Sequence, residues 1–224
     1  MSDRSGKRGF KRAATMSRRK KPPRVIGLTG GMACGKSEVG RLLAREGAAV
    51  LDTDAVAHAL QKPGRPVFRA IVRRFGRGIL NRRGGLDRRR LAQRVFADPR
   101  ERRALEAIVH PAVIAFMHRW LRAEARRGRP SVVIVPLLYE AGLTQEWDAV
   151  VCVTAPKTRV LARLKARGLT AAESRARLAA QMPPAEKAKR ADYVVRNNGS
   201  LDDLAKRVRA LWKRMMREER CKYA

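Results

Sequence analysis

The stretch from Val25 to Ser37, Val-Ile-Gly-Leu-Thr-Gly-Gly-Met-Ala-Cys-Gly-Lys-Ser, restricts what this chain can fold into more than any other. It opens with the apolar run Val25-Ile26-Gly27-Leu28, which reads as a buried strand. It then passes through Gly30, the four residues Gly31, Met32, Ala33 and Cys34, and on to Gly35, Lys36 and Ser37, satisfying G-x-x-x-x-G-K-[ST]. Glu38 to Glu46 follows with helical composition, with Val39, Leu42 and Leu43 on one face and Gly47 as a stop signal. Strand, glycine-rich turn and helix in that order form the context a phosphate-binding loop requires. Glycines let the backbone curl closely around a phosphate chain. The helix behind the turn presents free N–H groups and the positive end of its dipole to the same anion. Lys36 is then expected to reach the β- and γ-phosphates, and the Ser37 hydroxyl to ligate Mg²⁺.

The 224-residue sequence has room for one α/β domain with an insert, or for two small domains. Hydrophobic residues make up 45% but aromatic ones only 5%, so the core must be built from Leu, Val, Ile and Ala. No apolar run approaches the ~18 residues of a membrane span, and the basic N-terminus lacks the apolar core of a secretory signal. Cys34, Cys152 and Cys221 are scattered, without zinc spacing or a disulfide framework, which suits a reducing cytoplasm. Cys34, inside the loop, reads as a small filler residue or, alternatively, as a thiolate made reactive by the helix dipole. The formal charge of +32 attracts polyanions of any kind. Much of it lies in Arg clusters such as Arg88-Arg89-Arg90 and Arg126-Arg127 on amphipathic helices. These read as solvated faces rather than as a dedicated nucleic-acid surface.

Residues 1–23 are polar, basic and without hydrophobic periodicity, and read as a disordered tail; Met16 offers an alternative start. After the loop helix, Ala48 to Leu51 is a short buried strand ending in Asp52-Thr53-Asp54. Carboxylates at the C-terminal edge of such a strand sit where open α/β sheets bind ligands, yet Asp54 is equally placed to cap the next helix. From Pro63 to Gly128 the pattern is helical, and it reads as an insertion, with Asp87 and Asp98 as N-caps and His110-Pro111 dividing one helix from the next. Ser131–Val135 and Ala149–Val153 are buried strands. A basic helix carries Arg159, Arg163 and Arg167, and Thr170 with Glu173 forms a capping box for another. Tyr193–Val195 is a last strand before a terminal helix over 200–220. Five strands alternating with helices predict a doubly wound, mostly parallel sheet, with ligands gathered at the strands' C-terminal ends.

A phosphate-binding loop alone does not separate kinases from switches or motors. There is no Asn-Lys-x-Asp guanine motif, the chain is short, and an Arg-bearing helix pair from Arg159 to Gln181 lies where a lid over a triphosphate belongs. These point to a small-molecule kinase. The ordered set then carries a specific resemblance. The loop, Leu51-Asp52-Thr53-Asp54 with His58, Phe96-Ala97-Asp98-Pro99, His110-Pro111, Val135-Pro136-Leu137-Leu138-Tyr139-Glu140, the Arg163–Arg167 helix, Gln181, Ala191-Asp192-Tyr193-Val194-Val195 and Asn197-Asn198-Gly199 together resemble the dephospho-CoA kinase family.

The resemblance covers residues 24 to about 211 and implies a P-loop kinase core of five parallel strands in the order 2-3-1-4-5. It implies core segments 24–62 and 129–221, a helical acceptor-binding insertion over 63–128 and a helical lid over about 159–190. It implies phosphorylation of the ribose 3′-hydroxyl of dephospho-CoA by ATP with Mg²⁺, in the cytoplasm, by a monomer or weak homo-oligomer with no nucleic-acid or membrane partner. Asp54 matches the family's base, and Asp52 is expected to touch Mg²⁺ through a water. Lys36 and Arg163 join Asp54 as catalytic groups. The loop residues Gly30 to Ser37, with Glu38, Arg163, Arg167 and Asn198, form the expected nucleotide contacts. His110-Pro111 is expected to shape the insertion, and Glu140 either touches substrate or a metal water or caps a helix. Another small-molecule kinase and a nucleic-acid-binding P-loop protein are the alternatives. Four residues depart from the family pattern: Ala33 replaces a usual glycine, Cys34 a serine, Glu38 a threonine and Thr53 an alanine. Ala33 and Glu38 put the fine geometry of the loop in question, and Glu38 either faces away or weakens ATP binding.

Overall fold

In a computed structural model of the chain, residues 24–217 are described. The expected basic tail and Cys221 lie outside them. Strands β1 (Val25–Gly30), β2 (Ala49–Asp52), β3 (Ser131–Ile134), β4 (Ala149–Thr154) and β5 (Tyr193–Arg196) form one sheet in the order β2-β3-β1-β4-β5. Every pairing is parallel, with Ile26 opposite Val132 on one side and Ala149 on the other. This is the strand order that the family resemblance implies.

The loop therefore leaves the central strand, and the rest of the sheet is arranged about it. Period-2 alternation assigns the two faces. Ile26, Leu28, Val132, Ile134, Val151 and Val153 pack with Val39 and Leu43 of helix α1 (Lys36–Arg45) and with the C-terminal helix, whose Leu204, Val208, Trp212 and Met215 are buried. The intervening residues Val133, Val135 and Val150 face Met117, Leu138 and Trp147 on the other side. Gly27 marks that contact, since a Cβ there would lie 2.9 Å from both Leu138 and Trp147.

Between β2 and β3 the chain is helical: α2 (Thr53–Leu60), α3 (Pro66–Phe75), a 3-10 turn (Arg77–Ile79), α4 (Arg88–Ala97) and α5 (Pro99–Arg126). Asp87 and Asp98 cap α4 and α5 as the sequence predicts, each accepting from the amides that follow. Val67, Ile71, Phe75, Ile79, Leu91 and Val109 form a small core of their own. The expected break at His110-Pro111 is absent, because α5 runs through Pro111 as one 28-residue helix. A proline removes one i→i−4 bond and crowds the preceding turn. Packing supplies what that bond does not. Leu105, Ile108, Val109 and Val113 are held in the small core, and Met117, Trp120 and Leu121 are held against the sheet.

After β4 come α6 (Lys157–Ala166), α7 (Ala171–Ala179) and α8 (Pro184–Arg190), then β5 and α9 (Leu201–Arg217). The Thr170–Glu173 capping box on α7 is formed. No described helix is long and apolar enough to cross a membrane. Because Ile71 is wholly buried in the small core, Ile71→Ala is expected to lower unfolding free energy by about 2–5 kcal/mol, measured by chemical denaturation.

Candidate active site

The phosphate-binding loop is seated by its carbonyl oxygens, the groups an incoming anion must not meet. Lys36 Nζ donates to the carbonyls of Gly30 (3.0 Å) and Gly31 (2.9 Å). Arg163 Nη1 donates to Ala33 O (3.0 Å), and the buried Asn197 donates through Nδ2 to Cys34 O (2.8 Å). Two glycines are required by space as well as by conformation. Gly30 has φ 143° and a Cβ there would lie 2.3 Å from Val153 O; Gly35, the N-cap of α1, has φ 105° and a Cβ would lie 2.2 Å from Asn197 Nδ2.

The departures at the loop now have a physical reading. Ala33 is left-handed, with φ 56°, which explains a glycine as the usual residue; an L-residue there costs about 1–2 kcal/mol. Its methyl group is buried against Val160 and Leu164 of α6. Cys34 is buried, and desolvation pushes its thiol up, against the opposing charges of Lys36 and Arg163. It packs with Val39 and Leu43 in the core and is not the reactive thiolate considered above. Glu38 does line the cleft, and Arg41, one turn on, donates to both of its oxygens.

Two cavities meet at the C-terminal edge of the sheet. The donor cleft is lined by Met32, Ala33, Gly35, Lys36, Ser37 and Glu38, and roofed by Arg163, Arg167, Arg177 and Gln181. The second, more apolar cavity is lined by Ala57, Val109, His110, Val113 and Met117, together with Thr53, Val135 and Leu137. Asp54 and Pro136 line both. Asp54 is in the first turn of α2, and the cap is Asp52, whose Oδ1 accepts from Asp54 N (2.9 Å) and Ala55 N (3.4 Å). The capping role open to Asp54 in the sequence thus falls to Asp52. Thr53 Oγ1 donates to Ile134 O (2.9 Å), tying the end of β2 to that of β3 and fixing where Asp54 points out. Asp54 is exposed to solvent at the junction, yet the protein around it desolvates it in part. That desolvation, and then the Asp52 charge, push its pKa up, while Lys36 and His58 act in the opposite direction.

Asn197, Arg177 and Gln181 line the cleft although the sequence reading does not place them among the nucleotide contacts, and Asn198, which it does, borders another groove. Asn198 does not line the donor cleft; its Oδ1 accepts from Arg207, and it borders a groove beside β5. Its neighbour Asn197 is the residue in the cleft. Adjacent residues leaving a strand point to opposite faces, and nothing in Asn-Asn-Gly says which is inward. Arg177 is one of two arginines on α7, in a chain crowded with them. The structure brings it to the wall of that cleft and stacks it on Phe96 of α4 (5.7 Å), so α7 meets α4. Gln181 presents a buried Oε1 with no donor among the described residues.

Comparison with known proteins shows the family. The family model described as dephospho-CoA kinase matches residues 24–203. The chain belongs to the dephospho-CoA kinase family. A dephospho-CoA kinase from Symbiobacterium thermophilum is 53% identical over 192 residues, covering 85% of this chain and 80% of that one. The crystal structure of TT1252 from Thermus thermophilus shares 40% identity and a TM-score of 0.70, covering 87% of this chain and 98% of that one. A dephospho-CoA kinase structure from Campylobacter jejuni, 24% identical with a TM-score of 0.65, shares the fold across 86% of this chain and 97% of its own.

The Glu38–Arg41 pair has a measurable consequence. Removing the guanidinium leaves a carboxylate facing the donor cleft. Arg41→Ala is therefore expected to weaken ATP binding by about two- to fivefold, as befits an exposed pair, measured by calorimetry at low salt.

Proposed function

We propose that the chain transfers the γ-phosphoryl group of ATP to the ribose 3′-hydroxyl of dephospho-CoA across the wall shared by the two cavities. The observation that carries this reading is that Asp54 lines both. A carboxylate at the junction can meet a hydroxyl entering from the apolar side while facing a phosphate held by the loop. In the step, the hydroxyl oxygen bonds to the γ-phosphorus, the bond to the β–γ bridging oxygen breaks, ADP leaves, and the hydroxyl proton passes to Asp54. The raised pKa of Asp54 suits it to accept that proton.

The transition state spreads negative charge over the γ-phosphoryl oxygens. Lys36, Arg163 and Arg167 line the cleft in which that charge develops, and Arg177 joins them from α7. One cation of this kind is worth ~10³–10⁵ in rate in related phosphoryl transfers. The loop residues Gly31 to Ser37 supply amides and the α1 dipole for the phosphates.

Mg²⁺ belongs to this reading, and the donor set fits it. The described residues hold no group of three or more His, Cys, Asp or Glu side chains able to grip a metal alone. Mg²⁺ needs none, since it keeps waters and uses few protein ligands beside substrate phosphates. Ser37 lines the donor cleft, and the Asp52 cap uses only Oδ1, so Ser37 directly and Asp52 through a water would hold the ion. When bound, it neutralises charge on the β- and γ-phosphate oxygens. The buried thiols of Cys34 and Cys152 suit the reducing cytoplasm.

A coupled ADP-release assay with ATP and dephospho-CoA tests the reaction, and Asp54→Asn tests the base. Turnover is expected only with both substrates present. In Asp54→Asn, kcat is expected to fall by about 10²–10⁴-fold with ATP affinity kept within about twofold. Unchanged turnover in the variant removes Asp54 from the role of base, and no turnover by folded, ATP-binding wild-type protein removes the proposed reaction.

A further inference from the structure

The bulkiest side chain wholly shut off from solvent among the described residues belongs to a lysine, Lys187 of α8. Its Nζ donates to the Pro136 carbonyl (2.7 Å) and forms an ion pair with Glu140 Oε1 (2.7 Å). The same carboxylate oxygen accepts from Met182 N (2.9 Å), in the turn that joins α7 to α8. Burial pushes the Glu140 carboxyl up, but hydrogen bonds from Lys187 and from backbone amides, with the Lys187 charge, outweigh this and hold it below the usual range. Glu140 is thus neither a helix cap nor a cleft residue but the counter-ion of Lys187.

Stability is a weak explanation for such a pair. Withdrawing an ammonium from water costs several kcal/mol, and neutral replacements of buried pairs are often as stable or more so. The distinctive feature of Lys187 is what it joins. Pro136 is the wall residue that lines both donor cleft and acceptor cavity. Its carbonyl takes a second donor, the buried Thr29 Oγ1 (3.4 Å), one residue before the phosphate-binding loop. At the start of α8, Pro184 covers Gly31 so closely that a Cβ on Gly31 would lie 3.1 Å from Pro184 Cγ. One short helix therefore touches the phosphate-binding loop at one end and grips the cavity wall from its middle.

We propose that Lys187 is a positioning residue. By holding the Pro136 carbonyl, it fixes the wall between the two cavities and so sets the distance between the acceptor hydroxyl and the phosphate held by the loop. The inference rests on the phosphoryl-transfer reading above and adds to it a residue that contacts neither substrate. Its effect is on alignment, and misplacement of reacting groups by about 1 Å can cost roughly 10²-fold in rate.

The test compares wild type, Lys187→Met and the double variant Lys187→Met/Glu140→Gln. Thermal melting, calorimetric ATP binding and steady-state kinetics with dephospho-CoA are measured on each. Lys187→Met leaves the Glu140 carboxylate without its cation and is expected to melt lower; the double variant removes that penalty and is expected to melt near wild type. In the double variant, ATP affinity is expected to stay within about twofold, kcat to fall by roughly 10²-fold and KM for dephospho-CoA to rise. Wild-type kcat and KM in the folded double variant overturn the inference and leave the pair a structural one. A loss of ATP affinity equal to the loss of turnover also overturns it, since Lys187 would then act on the donor loop. Absence of turnover in wild type overturns the phosphoryl-transfer reading and this inference together, whereas wild-type turnover with unchanged variants overturns this inference alone.

Discussion

A backbone that is to hold a triphosphate has to keep its own carbonyl oxygens away from it. Here that is done by side chains from three separate places in the sequence. Lys36 takes the carbonyls of Gly30 and Gly31, Arg163 that of Ala33, and Asn197 that of Cys34. The first comes from the loop's own helix, the second from the helix after β4, and the third from the end of β5. The loop's shape is therefore a product of sheet topology. Only because β1 is central, with β4 and then β5 beside it, do Arg163 and Asn197 reach a turn more than 125 residues earlier in the chain.

The acceptor side is built on the same economy of parts. The strands β1, β2 and β3 end side by side, and hydrogen bonds between those ends set the site. Thr53 reaches Ile134, Thr29 reaches Pro136, and the Asp52 cap turns α2 so that Asp54 stands at the junction of the cavities. Thr53, which departs from the family's usual alanine, adds a hydrogen bond rather than removing a function. The large positive charge is partly consumed within the fold. Arg127 and Arg129 hold the buried Glu124, and Arg74 and Arg94 share Glu101.

What could be read from the sequence was whatever depends on local pattern. The continuous runs of Val and Ile showed which strands are buried, the loop motif showed itself through its flanks, and Asp87, Asp98 and Thr170 were legible as caps because capping is decided within three residues. What escaped depends on tertiary placement. Whether Asn197 or Asn198 faces the cleft turns on the direction of one strand end. Whether Asp52 or Asp54 caps α2 turns on where the helix begins, a matter of two residues. Pro111 looked like a boundary because local chemistry disfavours it, and packing on both sides overrode that preference. Lys187 was unreadable for a different reason. In a chain so rich in cations, nothing local sets apart the one that is buried, and its partners Pro136 and Glu140 lie about 50 residues earlier, in the turn after β3.

Helix α5 is a single rod about 40 Å long by its 28 residues. One half belongs to the insertion and the other lies on the sheet, so the two bodies cannot swing apart at a loop. Any change in the angle between them has to be taken up as curvature of that rod. The cheapest place for curvature is the turn before Pro111, where one backbone bond is already missing. That turn also carries His110, a wall residue of the acceptor cavity. Flexing the rod and reshaping the pocket are mechanically one event.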